Sequence, residues 1–199
     1  MKLLNSQTNS EQEIINTAST IIKSGGLAIL PFDTVYGFAC DPTDQAALDR
    51  IFKLKGRATT KTLGIAASDL EQVSNIALTE NKDLEKYFPG RYTVLLPISP
   101  VGESLLSPDC FKDGIVGIRI PDQPLLLEII DHAGGLIAQT SANKSGQPPC
   151  FSLAEIKSQF TTDELASLDL ILDAGPIESR GASELINYCG ATPETIERN

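Results

Sequence analysis

Residues 140–145, Thr-Ser-Ala-Asn-Lys-Ser, carry five small or basic hydrogen-bonding side chains in six positions, directly after the run Leu136-Ile137-Ala138-Gln139. Asn and Ser bond their own backbone in tight turns, and a turn asks for one or two such groups. Five exceed that need, which makes the stretch a candidate for ligand contact. A second group is cationic: Lys53, Lys55, Arg57 and Lys61 fall within nine positions of a chain whose net charge is −10. At a solvated helix end such cations favour the C-terminal dipole. Beside hydroxyls and amides they become an anion site, because Lys and Arg suit phosphate. The third feature is Arg119, inside the run Ile-Val-Gly-Ile-Arg-Ile-Pro. Its fork matches a carboxylate bidentately, and a salt bridge on a strand face is the equal alternative.

Nucleophilic chemistry has little support. His132 is the single histidine, and its setting, Asp-His-Ala-Gly-Gly, reads as a helix C-terminus. A Ser-His-Asp triad is therefore not expected. There is no GxxxxGK[ST] phosphate loop and no GxGxxG after a strand. Cys40, Cys110, Cys150 and Cys189 are scattered without a CxxC pair, so they read as reduced, mostly packed thiols and no protein metal site is expected. Cations, hydroxyls and amides remain. They suit chemistry done by positioning and charge stabilisation, such as attack on a phosphate.

These groups need a scaffold, and 199 residues at 41% hydrophobic and 21% charged composition suffice for a core. No repeat or linker divides the chain, so a single domain over residues 1–199 is expected. Ser10 and Glu13 form a capping-box pattern before Ile14, Ala18, Ile21 and Ile22, and Gly25-Gly26 ends that helix. "LAILP" follows as a strand. Thr43 is placed to cap a helix built on Leu48, Ile51 and Phe52, and "TLGIA", "YTVLLP" and "IVGIRI" read as strands, the last two separated by a loop of Pro, Gly and Ser. Asp122 and Pro124 open a helix that stops at Gly134-Gly135, and Ser152 with Glu155 gives a second capping box. "LDLILDAG" closes the clear strands, with "ASELIN" as another. Strands alternating with amphipathic helices argue for an α/β fold on a twisted sheet, with antiparallel pairing between "YTVLLP" and "IVGIRI". Polar clusters gather at strand ends: "LAILP" runs into Phe32 and then Asp33, Thr34 and Tyr36; the others are Arg119, Thr140 onward, and Asp173. In open α/β sheets ligands bind beyond the carboxyl ends of strands, so these clusters converge if their strands point the same way. The pI of about 4.5 disfavours general attraction to nucleic acid or anionic membranes. No apolar run approaches ~20 residues and the start lacks a signal-peptide core; a cytoplasmic protein is expected.

The pieces "PFDTVYGFACDP", "KLKGR", "FPGRYTVLLP", "GIRIPDQPL", "TSANKSGQPPC", "DAG" and "ASELIN" resemble, in order, the YrdC-type threonylcarbamoyl-AMP synthases, in their short, single-domain bacterial branch. The resemblance covers nearly the whole chain. It implies an α/β fold: a twisted mixed parallel/antiparallel sheet, flanked by helices, with a deep concave cleft. It also implies a reaction in which L-threonine, bicarbonate and ATP give threonylcarbamoyl-AMP and pyrophosphate, with magnesium accompanying the ATP. By motif, Thr34, Arg119, Thr140 and Ser183 would hold threonine or its carbamate. Lys55, Arg57, Lys61, Ser141, Asn143 and Arg198 would hold ATP, with Lys55 and Arg57 as the catalytic cations. Downstream tRNA-modifying proteins would take the product. Departures fall in loops: Ala58 follows the KxR motif where the family often has proline, and Pro89-Gly90-Arg91 replaces PGP. Two other readings compete: an RNA-binding or ribosome-maturation module using the same cleft, and a nucleotide-binding paralogue without synthase activity. Direct RNA binding would require a broad positive groove.

Overall fold

The computed structural model describes residues 1–56, 62–178 and 183–197; Arg57, Lys61 and Arg198 lie outside these ranges. The first strand, β1 (Lys2–Asn5), leaves little trace in the sequence because it is short and mostly exposed. Ser10 then caps α1 (Glu11–Lys23) by accepting the Glu13 N–H at 3.2 Å. The box is half-formed, because Glu13 accepts from the Asn9 carboxamide instead. Gly25, at φ 75°, takes the left-handed turn that ends the helix.

Strands β2 (Ala28–Pro31) and β3 (Tyr36–Cys40) pair antiparallel. All five residues of β3 are buried, so it lacks the alternation by which a half-exposed strand is recognised. Asp44, not Thr43, caps α2 (Gln45–Lys55): its carboxylate accepts the N–H groups of Ala46 and Ala47, while Thr43 bonds Asp41. Then come β4 (Gly64–Ala67), α3 (Leu70–Ile76) and β5 (Tyr92–Pro97). The expected loop after β5 contains a short helix, α4 (Pro100–Leu105), which Ser99 caps and Pro100 starts. Asp113 and Gly114, both at positive φ, turn β6 (Phe111–Lys112) into β7 (Ile115–Arg119). Gln123 occupies the cap position of α5 (Pro124–His132), one residue later than Asp122. Next, β8 (Leu136–Ser141) runs through Thr140 and Ser141, so both lie inside the strand rather than after it. The remaining elements are α6 (Leu153–Gln159), α7 (Thr162–Ala166), β9 (Leu170–Asp173), β10 (Glu184–Asn187) and β11 (Glu194–Ile196). Ser152 caps α6 as expected, but the reciprocal box is formed by Thr161 and Glu164 at α7.

Among the described residues the strands form one mixed sheet in the order β1-β9-β2-β3-β8-β4-β7-β5-β10-β11, with β6 on β7. Strands β5 and β7 are antiparallel, as expected. The common direction of the polar-ended strands is not found. β2, β8 and β9 run one way, whereas β7, parallel to β4 and so antiparallel to β8, runs the other. Arg119 therefore reaches its neighbours from the opposite end of the sheet.

Strand alternation divides the core between two faces. On one, α2 and α3 pack over Phe38, Ile65, Val94, Val116, Ile118 and Ala138. On the other, α1 and α5 pack together over Ala28, Leu30, Ala39, Ala66, Ile137 and Leu170. Of the two, α1 lies over β2, β3 and β9 and α5 reaches β4, while residues on the same face of β7 and β5 line a cleft. No helix among the described residues is long and apolar enough to cross a membrane.

Candidate functional site

The cleft measures about 600 Å³, and its floor is the sheet itself. Gly64 of β4, Gly117 of β7, Thr93 and Leu95 of β5, and Gln139 of β8 line it. Gly64 pairs with Gln139 and Gly117 with Leu95. A Cβ on Gly64 would stand 2.8 Å from Gln139 Nε2, and one on Gly117 would stand 3.3 Å from Leu95. The absence of these side chains keeps the floor low. The crevice thus lies on a sheet face, not along a shared carboxyl edge.

Arg119 forms one corner and is only 3% exposed. Its guanidinium donates to Thr34 Oγ1 at 3.1 Å and to the Asp33 carboxylate, and sits 5.7 Å from the centre of the Phe32 ring. Asp33 also accepts the Asp122 N–H at 3.3 Å. The arginine is both paired and adjacent to the cleft, so the two readings of the sequence are not exclusive. Asp33 is the partner that sequence reasoning missed. It lies 86 positions away, where no local signal could find it. Thr34 and Arg119 are brought together as expected, and Ser183 joins the same cleft through a 2.9 Å hydroxyl contact with Thr93. The alternation in "YTVLLP" puts Thr93 and Leu95 on one face, the face that lines the cleft.

At the other end, Thr140, Ser141 and Asn143 line the cleft. Lys55 is placed differently from the expectation of a cation facing substrate. It comes from α2 on the far face, is 4% exposed, and is not among the lining residues. Its ammonium donates to Ser141 O at 2.6 Å, Asn143 O at 2.9 Å and Asn143 Oδ1 at 3.1 Å. Asn143 completes this knot: Nδ2 donates to Gln147 O at 2.6 Å and Lys144 O at 3.1 Å, while Oδ1 also accepts from Ser141 Oγ at 2.5 Å. Lys144 turns away to Glu164, 2.7 Å distant, and holds that carboxyl below its usual range by hydrogen bonding. Of the five polar residues between 140 and 145, Thr140 and Ser141 belong to the strand, Asn143 ties the loop, Lys144 makes an ion pair elsewhere, and Ser145 is exposed, with its backbone N–H on Lys55 O at 2.8 Å.

Tyr36 anchors the assembly. Its backbone carbonyl accepts the Ala142 N–H, and its buried phenol donates to Gly175 O at 2.7 Å while accepting the Ala174 N–H at 2.9 Å. The "DAG" segment thereby braces the loop that follows β8. Burial pushes the Cys110 thiol up to about 12 and that of Cys150 to about 11, and all four cysteines are free. Cys40, Cys110 and Cys150 are packed, as the scattered spacing suggests, and Cys189 is only partly buried. Lys112, Asp113 and Thr62 also line the cleft and were not anticipated. Among the described residues no three His, Cys, Asp or Glu side chains gather as a metal centre.

The carboxamide of Asn143 is committed to the loop on both of its ends. Asn143→Ala is expected to lower the melting temperature by roughly 2–8 °C, from about 1–2 kcal/mol lost, and to reduce turnover at the same time. A stable variant with turnover lost would show instead that Asn143 acts on the substrate directly.

A protein-family model named Sua5/YciO/YrdC, with the description "Telomere recombination", matches residues 20–199. Threonylcarbamoyl-AMP synthase of Mus musculus is 33% identical over 167 residues, covering 83% of this chain and 57% of that protein. The chain thus spans little more than half the length of this relative. Threonylcarbamoyl-AMP synthase of Nitrosococcus oceani is 30% identical over 175 residues, covering 86% of this chain and 91% of that protein. The crystal structure of P. abyssi Sua5 complexed with L-threonine superposes with a TM-score of 0.83 at 26% identity, covering 98% of this chain and 56% of that one.

Proposed function

The chain belongs to the Sua5/YciO/YrdC family, and from that premise we propose that it is a threonylcarbamoyl-AMP synthase acting as one domain over residues 1–199. What supports this most is a single cleft with an arginine corner at one end and a hydroxyl-bearing strand end at the other. A zwitterionic hydroxy amino acid fits the first and a nucleotide phosphate fits the second. L-threonine presents its carboxylate to Arg119 and its hydroxyl to the small polar groups Thr34, Thr140 and Ser183. The amine attacks bicarbonate or CO2 to form a carbamate, with loss of water when bicarbonate is the source. A carbamate oxygen then attacks the α-phosphorus of ATP, the bond to the β-phosphate bridge breaks, and pyrophosphate leaves. No protein nucleophile is needed.

Ser141 offers its hydroxyl to the phosphates, and Lys55 with Asn143 positions the strand end that carries it. Arg57, Lys61 and Arg198, outside the described residues, complete the cationic set for ATP. Stabilising the charge that develops on the phosphates is the catalytic contribution of these cations. A magnesium ion brought by the ATP phosphates would be held by one or two carboxylates; among the described residues Asp113 lines the cleft and would be one of them. The ion would supply further neutralisation of phosphate charge. Downstream tRNA-modifying proteins consume the product.

The expected result is that purified protein releases pyrophosphate from ATP only when both threonine and bicarbonate are present, with threonylcarbamoyl-AMP detected by mass spectrometry. Equal release without threonine would replace the synthase with a simple nucleotidase. Binding of RNA with a steep salt dependence and no product would favour the RNA-binding module.

A further inference from the structure

Gln139 is half-buried in the centre of the cleft floor. Its carboxamide lies over Gly64, where a Cβ would come within 2.8 Å of Nε2. Among the described residues it forms no hydrogen bond with the chain. The neighbouring polar groups are engaged: Thr93 with Ser183, Thr34 with Arg119, Ser141 with Asn143. A half-buried carboxamide left unbonded between them offers one acceptor and two donors to whatever enters.

Strand register defines what it would meet. Ala66 of β4 pairs with Arg119 on one side and Ile137 on the other, whereas Gly64 pairs with Gln139. Ser141, two residues further along β8, pairs with Gly37. Gln139 thus stands between the row of Arg119 and the row of Ser141, each step of two residues being about 6–7 Å. If the carboxylate of threonine is held by Arg119, the carbamate carbon comes three bonds beyond the carboxyl carbon, on the way to the phosphates.

From this placement we propose that Gln139 reads the carbamate itself. Its Oε1 accepts the carbamate N–H, and its Nε2 donates to a carbamate oxygen, leaving the other oxygen directed at the α-phosphate. Gly64 is the companion feature, since any side chain there would displace the carboxamide. Gln139 is then a residue that distinguishes N-carboxylated threonine from threonine. This inference rests on the synthase reading above, and its test separates the two.

The probes are L-threonine and N-carbamoyl-L-threonine, a stable neutral mimic that retains the N–H and C=O of the carbamate. Each is titrated calorimetrically into the full chain, and circular dichroism verifies the fold of each variant. Gln139→Ala is expected to weaken N-carbamoyl-L-threonine about tenfold, in the lower range for loss of two neutral hydrogen bonds. Binding of L-threonine is expected to change less than twofold. Gly64→Ala, which keeps Gln139 but crowds it, is expected to reproduce the pattern. If both variants bind N-carbamoyl-L-threonine as the wild type does, or weaken both ligands alike, the role of Gln139 is overturned while the threonine site stands. If the wild type binds neither ligand, the synthase reading falls and the proposal with it.

Discussion

Arg119→Ala is expected to be the most damaging single change in the cleft. Truncating one partner of a buried ion pair leaves the other charge uncompensated, at a cost of about 3–5 kcal/mol. Here Asp33, whose side chain is only 8% exposed, would be the group stranded. For a chain of this size each kcal/mol moves the midpoint by roughly 2–4 °C, so a melting temperature lower by roughly 6–20 °C is expected. Threonine binding should disappear as well, but this variant alone does not separate binding from folding. Arg119→Lys does. It keeps the charge beside Asp33 while losing the planar fork that holds Thr34 and a carboxylate together. The expected result is a folded protein with ATP binding nearly intact and threonine affinity reduced by roughly one to two orders of magnitude, from about 1.5–3 kcal/mol for a charged hydrogen bond. Calorimetry with each substrate measures both. Unchanged threonine affinity in Arg119→Lys would make the arginine a brace for the loop at Asp33 and Thr34, and nothing more.

The second large effect is expected at Lys55. Its ammonium supplies hydrogen bonds to three oxygens of residues 141 and 143 from a nearly buried position. Lys55→Met preserves much of the aliphatic stem but leaves those oxygens without this donor. An unsatisfied buried polar group costs about 1–3 kcal/mol. Because the three oxygens lie within three residues, at the end of β8 and just beyond it, and can relax together, a total near 3 kcal/mol is expected, or roughly 6–12 °C in melting temperature. Turnover should fall by roughly two orders of magnitude, mainly through ATP, because Ser141 is no longer held toward the cleft. The opposite pairing of results is equally informative. A variant that melts like the wild type but has lost ATP binding would show that Lys55 leaves the loop to meet the phosphates, as the family resemblance implies.

The two positions also mark where sequence reasoning stops. The first helix, the strands "YTVLLP" and "IVGIRI", and the glycine stops at 25 and 134–135 were legible because their signals act over a few neighbouring residues. Capping, period-two alternation and left-handed turns depend on local backbone geometry. The resemblance singled out Thr34, Arg119, Thr140, Ser141, Asn143 and Ser183, and the fold gathers them in one cleft. Other features carried too weak a local signal. Strand β3 was hidden because a strand buried on both faces loses its alternation, and β1 because it is short and at the sheet edge.

Tertiary structure alone decided how the groups meet. Strand direction determines that Arg119 arrives from the end opposite to Ser141, and strand direction is a property of the whole sheet. The pairing of Arg119 with Asp33, 86 positions apart, and of Lys55 with Asn143, 88 positions apart, depends on where distant segments come to rest. So does the direction of the Lys55 ammonium, which a sequence reading assigns to substrate and the structure assigns to the loop. Residue type states which bonds a side chain is able to make. Only packing determines which partners are near enough to make them, because burial leaves a charged or polar group no alternative but the partner it meets.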